Sequence, residues 1–269
     1  MGNALPWRAL EPFGAEVFVD LSAPLSLEEE AELIDLLRDR SLLLARGQLL
    51  SMERQQEICA LFGPILLRGG ESGYMSNEQG GPSASELTFH SDAAYTPHPF
   101  DALSLHALDV VDGASSTRFI SAERGYSLLP ELLRERLETL DQEMIAPHYT
   151  ELAGRTCDRR EPQAQKRGLL PAISINPHNG RPCVWVSEMQ TAHLVGIEWE
   201  EGRALLHAAF DCLYAPDNQL EHRWCKGDVI IWDNIALQHA RGNVESVGKR
   251  LLQRVIVGAE GVAPHVTNP

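Results

Sequence analysis

The spacing of apolar residues divides the chain into short helices and strands. A capping box, Ser26-x-x-Glu29, stands just before apolar residues at helical spacing and predicts that a helix begins there. The same spacing predicts three further helical segments, one after Ser51, one over residues 121–140 and one over residues 200–214. The remaining apolar runs are shorter and follow a different pattern.

These shorter runs are rich in β-branched and aliphatic residues, which is typical of strands. No internal repeat and no long linker separates them. Short strands with intervening helices predict a single domain over residues 1–269, in the α+β class with a mainly β core. The strands are expected at residues 17–19, 42–45, 86–90, 103–107, 172–175, 184–186, 229–232 and 250–257.

Composition and charge narrow the class of protein. A hydrophobic content of 43% over 269 residues is enough for one domain with a sizeable core. The net charge of −15 argues against nucleic acid and against an anionic membrane as partners, because its long-range field repels both. It still allows a small anionic substrate in a locally cationic pocket.

The five cysteines indicate a reducing compartment. Their number is odd, their spacing is wide and no Cys-x-x-Cys pair occurs, which favours free thiols over a disulfide framework or a zinc site. The sequence also shows no secretory signal and no apolar stretch long enough to span a membrane. We therefore expect a cytoplasmic protein, and the sequence is compatible with a homo-oligomer.

Two histidines and one aspartate are candidates for a metal site. His90 and Asp92 end a predicted strand, where side chains two residues apart project to the same face. Alone, this pair is better explained as a polar strand end. His239 changes that, because it follows a buried strand run that ends at Asp233-Asn234. Two imidazoles and one carboxylate form the facial triad that holds non-haem Fe(II) and leaves other coordination positions open.

Two arginines follow His239 in an apolar strand run. Arg250 and Arg254 each lie two residues from Leu252, so on a strand their guanidinium groups are expected on one face. A buried arginine needs an anionic partner, because removing water from its charge is costly. Two explanations remain open at this point. The partners are internal carboxylates, or they are the carboxylate of a bound keto acid and an acidic group on a substrate.

Together, these residues resemble the taurine dioxygenase family of Fe(II)- and 2-oxoglutarate-dependent oxygenases. The resemblance runs from about residue 42 to residue 257 and is densest in two segments. Phe89-His90-Ser91-Asp92 is similar to the family's first ligand motif, and residues 227–234 with Gln238-His239 are similar to the second. The fold that the resemblance implies is a double-stranded β-helix, or jelly roll, with flanking helices.

The resemblance also implies roles for single residues. His90, Asp92 and His239 would be the catalytic metal ligands for Fe(II), with 2-oxoglutarate and O₂ as co-substrates. Arg250 falls where the family has the arginine that pairs with the distal carboxylate of 2-oxoglutarate. Thr117 matches the threonine that also contacts this carboxylate, although the turn before it departs from the family's Gly-Gly-acid sequence.

The resemblance constrains the substrate less closely. Arg254 falls where an arginine of the family often meets an anionic substrate, and Tyr95, Asn77 and Glu86 flank the first ligand motif as expected substrate contacts. The implied reaction oxidises a C–H bond of a small acidic or amino acid-like metabolite and releases succinate and CO₂. Asp92 occupies the position that a halide needs in related halogenases, so hydroxylation is favoured over halogenation. The alternatives are desaturation or ring closure with the same cofactor, a metal hydrolase and a binding protein.

Overall fold

Two facing β-sheets form the centre of the protein, whose computed structural model describes residues 5–66, 73–78 and 84–258. Within these ranges the larger sheet has seven strands and the smaller sheet has four. The larger sheet runs, in spatial order, β1 (Trp7–Ala9), β2 (Ala15–Val17), β3 (Leu42–Ala45), β14 (Val229–Asp233), β6 (Ala102–Val110), β16 (Arg250–Val257) and β4 (Gly73–Ser76). The smaller sheet runs β13 (Gln219–Arg223), β7 (Ser116–Ser121), β15 (Leu237–Arg241) and β5 (Leu87–His90).

The inner faces of the two sheets pack against each other and form the main core. Phe119 of β7 and Trp232 of β14 meet edge to face, with ring centroids 5.4 Å apart. Leu252 of β16 is fully buried in the same cluster. Because alternate residues of a strand share a face, Arg250 and Arg254 point into the space between the sheets, as their spacing predicts.

Helices cover the outer faces of both sheets. Leu33 and Leu37 of the first helix pack on β3 and β14, and this helix begins with the capping box that the sequence predicts. The last helix packs on the outer face of the smaller sheet. None of the described helices is long and apolar enough to cross a membrane. The helices are α1 (Leu27–Arg40), α2 (Met52–Cys59), α3 (Ala122–Leu128), α4 (Glu131–Glu138) and α5 (Trp199–Leu213).

The helical segment predicted over residues 121–140 consists of two helices, α3 and α4. Leu129 has an extended backbone, because the residue before a proline is disfavoured in the helical region, and Pro130 stands at the start of α4. His239 follows a short loop after β14, as expected, but it lies inside a strand, β15, that the sequence did not predict. The inward positions His239 and Arg241 are polar and break the apolar alternation that reveals a strand.

A third sheet lies beside the segment that follows β5. Its order is β12 (Thr191–Leu194), β8 (Asp141–Pro147) and β9 (Ala164–Pro171), and a hairpin of β10 (Ile173–Ile175) and β11 (Pro182–Val184) adjoins it. A Cβ atom at Gly168 of β9 would stand 2.2 Å from the carbonyl oxygen of Tyr95. Only glycine allows the two backbones to approach so closely.

A half-buried ion cluster ties the β10–β11 hairpin to the end of β14. Nδ1 of His178 lies 2.8 Å from Asp233, and its Nε2 lies 3.3 Å from Asp101. Burial opposes the charge on the imidazole, but hydrogen bonds to both carboxylates and their negative charges outweigh it and raise the pKa of His178 to about 10. His178 is therefore an imidazolium at neutral pH. It holds Asp233, whose other oxygen accepts from the N–H groups of Ile235 and Ala236 at 2.7 and 2.9 Å.

Replacing this imidazolium by His178→Asn should remove a pH-dependent part of the stability. The folded-state pKa of about 10 exceeds the ordinary 6.5, so the contribution is fully present below about pH 6.5 and is lost as pH rises through 10. In urea denaturation, the wild-type free energy of unfolding should fall across this window by on the order of 2 kcal/mol more than that of the variant. Parallel pH profiles for the two proteins would contradict the assignment.

Candidate active site

His90, Asp92 and His239 converge at the inner face of the smaller sheet. His90 ends β5 and lies directly opposite His239 of β15, with ring centroids 4.3 Å apart. One carboxylate oxygen of Asp92 lies 3.2 Å from Nε2 of His90 and 3.9 Å from Nε2 of His239. The three potential ligand atoms lie within 4.8 Å of one another. This arrangement suits a single metal ion bound from one side.

The protonation states of these groups also suit a cation. Nδ1 of His90 lies 2.8 Å from the carbonyl oxygen of Thr88, which can only accept, so Nδ1 carries the proton and leaves Nε2 free to bind metal. Burial and the neighbouring His90 lower the pKa of His239 to about 3, so this imidazole is neutral. Burial would raise the pKa of Asp92, but its contacts with the two imidazoles and the charge of Arg254 outweigh burial and lower the pKa below its ordinary value. The site offers two imidazoles and one carboxylate.

Asn234 positions the metal-binding carboxylate. Its side-chain oxygen accepts from the N–H of Asp92 at 2.9 Å, and its side-chain nitrogen donates to the carbonyl oxygens of Asp92 and Phe100 at 2.9 and 3.0 Å. The Gln190 side chain donates to the carbonyl oxygen of the preceding residue, Ser91, at 2.9 Å. Both amides are buried. Asn234 and Asp233 therefore fix backbone around the site, and neither lies among the three grouped ligands.

A second group of potential ligands, Cys157, Asp158 and His207, also lies within 4.8 Å of one another. Its carboxylate already has cationic and hydrogen-bonding partners, since Arg203 lies 3.7 Å from Asp158 and Nε2 of His207 lies 2.7 Å from it. Burial raises the pKa of the Cys157 thiol to about 12. A protonated thiol and a paired carboxylate are poor metal ligands, so the metal centre is the His90 group.

Arg250 is a buried cation that has no internal counter-ion among the described residues. Its side chain is 2% exposed, and no described carboxylate lies within 4 Å of its guanidinium group. Its buried Nε atom has no hydrogen-bond partner there. Burial and the charge of Arg241 lower the pKa of Arg250 to about 10, so the group is still charged at neutral pH. Of the two explanations that the sequence left open, a bound anion is the one that Arg250 favours.

Arg254 occupies a different position on the same strand. Its Nη1 atom lies 3.9 Å from the second carboxylate oxygen of Asp92, so its guanidinium stands beside the metal ligands. An internal carboxylate is therefore one of its partners. The positive charge of Arg254 also helps to lower the pKa of both Asp92 and His239.

Thr117 points into the same interior from β7. Phe119 pairs with His239 across the strands, and Thr117 lies one inward position further along β7. Such diagonal neighbours are about 7–8 Å apart. The Thr117 hydroxyl accepts a hydrogen bond from Nε1 of Trp224 at 3.0 Å. The unusual turn before β7, in which Gly113 has a φ of 73°, still directs Thr117 inward.

The three expected substrate contacts have different surroundings. Asn77 donates both amide N–H groups to the carbonyls of Val244 and Gly248 at 2.7 Å and accepts from the N–H of Arg250. Its amide is thus used by the protein's own backbone, and we correct its role from substrate contact to support of β16. Glu86 is exposed ahead of β5, and Tyr95 is half-buried beside an apolar cluster near β9.

Arg241 is a further buried cation, which the sequence did not single out. It lies two residues after His239 on β15, is 5% exposed and donates to the carbonyl of Ser85 at 2.6 Å. Its charge contributes to the lowered pKa of both Arg250 and His239. Arg241 lies two residues after His239, so on a strand the two side chains share a face. This relation could be used only if residues 237–241 had been recognised as a strand.

Comparison with known proteins identifies the family of this chain. The family model described as "Taurine catabolism dioxygenase TauD, TfdA family" matches residues 7–256. The alpha-ketoglutarate-dependent 2,4-dichlorophenoxyacetate dioxygenase of Cupriavidus pinatubonensis is 27% identical, with 88% of this chain and 91% of that protein covered. An alkylsulfatase of Acinetobacter baylyi is 24% identical, with 92% and 82% covered.

Solved structures share the fold. A taurine dioxygenase from Burkholderia xenovorans superposes with a TM-score of 0.80 at 22% identity, covering 96% of this chain and 92% of that one. AAD-2 in complex with Mn(II) and N-oxalylglycine gives a TM-score of 0.80 at 21% identity, covering 95% and 97%. The predicted jelly roll is confirmed. The chain belongs to the TauD/TfdA family of Fe(II)- and 2-oxoglutarate-dependent dioxygenases.

Proposed function

We propose that this dioxygenase hydroxylates a C–H bond of a small anionic metabolite, with Fe(II) held by His90, Asp92 and His239. The observation that carries the proposal is the buried Arg250 guanidinium, which no described carboxylate neutralises. A buried charge of this kind is stable only when an anion reaches it. The distal carboxylate of 2-oxoglutarate is the anion that we assign to it.

When bound, Fe(II) supplies the O₂ chemistry that couples decarboxylation of 2-oxoglutarate to succinate and CO₂ with oxidation of the substrate. The protein's own contribution is orientation. Arg250 pairs with the distal carboxylate through a two-pronged hydrogen bond, and the Thr117 hydroxyl donates a further one. Asp92 contributes an ionised oxygen ligand, which favours hydroxylation over halogenation.

The charge around the metal ligands supports an anionic substrate. Arg254 and Arg241 both contribute to the lowered pKa of His239, so two cations act on the metal ligands beside the carboxylate of Asp92. The names of several relatives refer to anions, among them 2,4-dichlorophenoxyacetate, phenoxypropionate and, for the alkylsulfatase, alkyl sulfates. We assign Arg254 to the acidic group of the substrate and retain Tyr95 and Glu86 as proposed substrate contacts.

The wider cellular setting follows the sequence-based expectation. We propose that the enzyme acts in the cytoplasm on a free small molecule, without nucleic acid or membrane as a partner. The strongly negative net charge and the free thiols support this setting. Assembly into a homo-oligomer stays a prediction.

Anaerobic addition of Fe(II) and 2-oxoglutarate should produce a visible metal-to-ligand charge-transfer band. The band requires both metal ligation and chelation by the keto acid, so His239→Ala should abolish it. Absorption spectroscopy under anaerobic conditions provides the measurement. A wild-type protein that loads iron yet shows the same spectrum as the variant would overturn the assignment of the metal and co-substrate site.

The variant Arg250→Gln should weaken 2-oxoglutarate binding by roughly 100-fold, because it removes a bidentate partner of a buried carboxylate. Fe(II) affinity should change little, since Arg250 is not a metal ligand. Calorimetric titration of the Mn(II)-loaded protein with 2-oxoglutarate avoids turnover and gives the dissociation constant. Equal losses of metal and 2-oxoglutarate affinity would indicate a folding defect instead.

The variant Arg254→Gln should separate substrate binding from co-substrate consumption. We expect the KM to rise by roughly tenfold or more for whichever acid is oxidised in a panel of phenoxyalkanoates, alkyl sulfates and sulfonates. Succinate formation without substrate should persist, because the ligands and Arg250 remain. If both activities fall together, Arg254 acts on the metal through Asp92 and its assignment to substrate is wrong.

A further inference from the structure

Trp224 contacts the proposed co-substrate site through a single buried hydrogen bond. Its indole nitrogen lies 3.0 Å from the hydroxyl oxygen of Thr117, and both side chains are almost fully buried. Trp224 follows β13 directly, and its backbone N–H donates to the carbonyl of Ser115 at 3.0 Å. Since Ser115 lies two residues before Thr117, the indole reaches Thr117 as a diagonal neighbour on the inner face.

The chemistry of the indole fixes the direction of this hydrogen bond. An indole N–H can only donate, so the Thr117 oxygen must accept from it, and the hydroxyl proton is left to point elsewhere. No described residue accepts a hydrogen bond from this hydroxyl. A buried hydroxyl with an unused proton needs an acceptor, and the distal carboxylate assigned to Arg250 is one.

An ionic cluster around the buried Asp228 carboxylate lies next to the indole. The His222 ring meets the Trp224 ring edge to face, with centroids 4.7 Å apart. Nε2 of His222 lies 3.1 Å from Asp228, and Arg46 binds both oxygens of that carboxylate at 3.1 and 3.2 Å. Asp228 also accepts from the N–H of Cys225, the residue after Trp224. The His222 ring and the anchored backbone of Cys225 restrict the rotation of the indole.

We propose that Trp224 is a positioning residue for the co-substrate, which acts by making the Thr117 hydroxyl a donor toward the distal carboxylate of 2-oxoglutarate. The inference rests on the proposed function, because it requires 2-oxoglutarate to bind beside Arg250 and Thr117. Trp224 itself does not touch the co-substrate. Without the indole N–H, the hydroxyl rotates freely and loses part of its preference for donating to the carboxylate.

The test deletes the indole N–H while keeping the ring. Trp224 is replaced by β-(3-benzothienyl)alanine, in which sulfur takes the place of the N–H group, and Trp224→Phe serves as a second variant. Mn(II)-loaded protein is titrated calorimetrically with 2-oxoglutarate and with 2-oxobutanoate, which chelates metal but has no distal carboxylate. The same replacement is then made in Thr117→Val, which removes the hydroxyl at nearly constant volume, with Thr117→Ser as the control that keeps it.

We expect the benzothienyl variant to bind 2-oxoglutarate roughly tenfold more weakly, as for a lost hydrogen bond to a charged group, and to bind 2-oxobutanoate as the wild type does. In the Thr117→Val background the replacement should have no further effect, because the hydroxyl through which it acts is gone. Unchanged 2-oxoglutarate affinity, equal losses for both ligands, or additive losses in the double variant would each overturn the inference. If wild-type protein binds Mn(II) but does not bind 2-oxoglutarate, both the proposed function and this inference are wrong.

Discussion

The placement of the metal ligands depends on the hydrogen bonds of one buried amide. The Asn234 side chain is fully buried and satisfies its donors and acceptor on the backbone of Asp92 and Phe100. Leaving such an amide unpaired would cost about 1–3 kcal/mol for each unsatisfied group. The irregular segment that carries Asp92 is therefore held against the turn before β15, which carries His239. Two segments that lie 142 residues apart in the sequence are thereby held together, and their ligand side chains lie side by side.

The same interior carries charge that a purely structural core would avoid. Arg241 and Arg250 are nearly fully buried, and burial lowers the pKa of each. Desolvating a guanidinium group reduces the free energy of unfolding, and the two cations also repel each other. The well-packed apolar cluster around Phe119, Trp232 and Leu252 offsets this destabilisation. No described carboxylate neutralises Arg250, and in the proposed function this buried charge is the physical source of affinity for an anion.

The sequence predicted some strands of the two sheets and not others, and the difference depends on which side chains the strands direct inward. β16 was predicted with its observed bounds, because its branched aliphatic residues make a strong strand signal. β7 and β15 were missed, since their inward positions hold Thr117, His239 and Arg241 and lack the apolar alternation of an ordinary strand. The ligand set was recognised from motifs that do not depend on alternation. These motifs identified three residues whose side chains the fold brings together, although the strands β7 and β15 around them were not predicted.

Contacts between loops that are distant in the sequence could not be predicted from local sequence patterns. Asn77 was expected to meet substrate because it is polar and near the first ligand motif, yet its amide binds the backbone of Val244 and Gly248. Nothing in either local sequence indicates this pairing, which exists only because β4 and β16 are neighbours in the folded sheet. The importance of Trp224 was hidden in the same way, since its partner Thr117 belongs to a strand that the pattern did not show.

The groups proposed to serve the cofactor and those proposed to face the substrate differ in how the backbone holds them, except that Asp92 lies in the segment after β5 and Arg254 lies on β16. His90, His239, Thr117 and Arg250 lie on paired strands, where backbone hydrogen bonds and packing fix their directions. Tyr95 lies in the irregular segment after β5, whose backbone is limited by the approach of Gly168. Loops change without disturbing a sheet, so one metal and co-substrate site can serve many substrates. The relatives fit this division, because their names share the keto acid and differ in the compound oxidised.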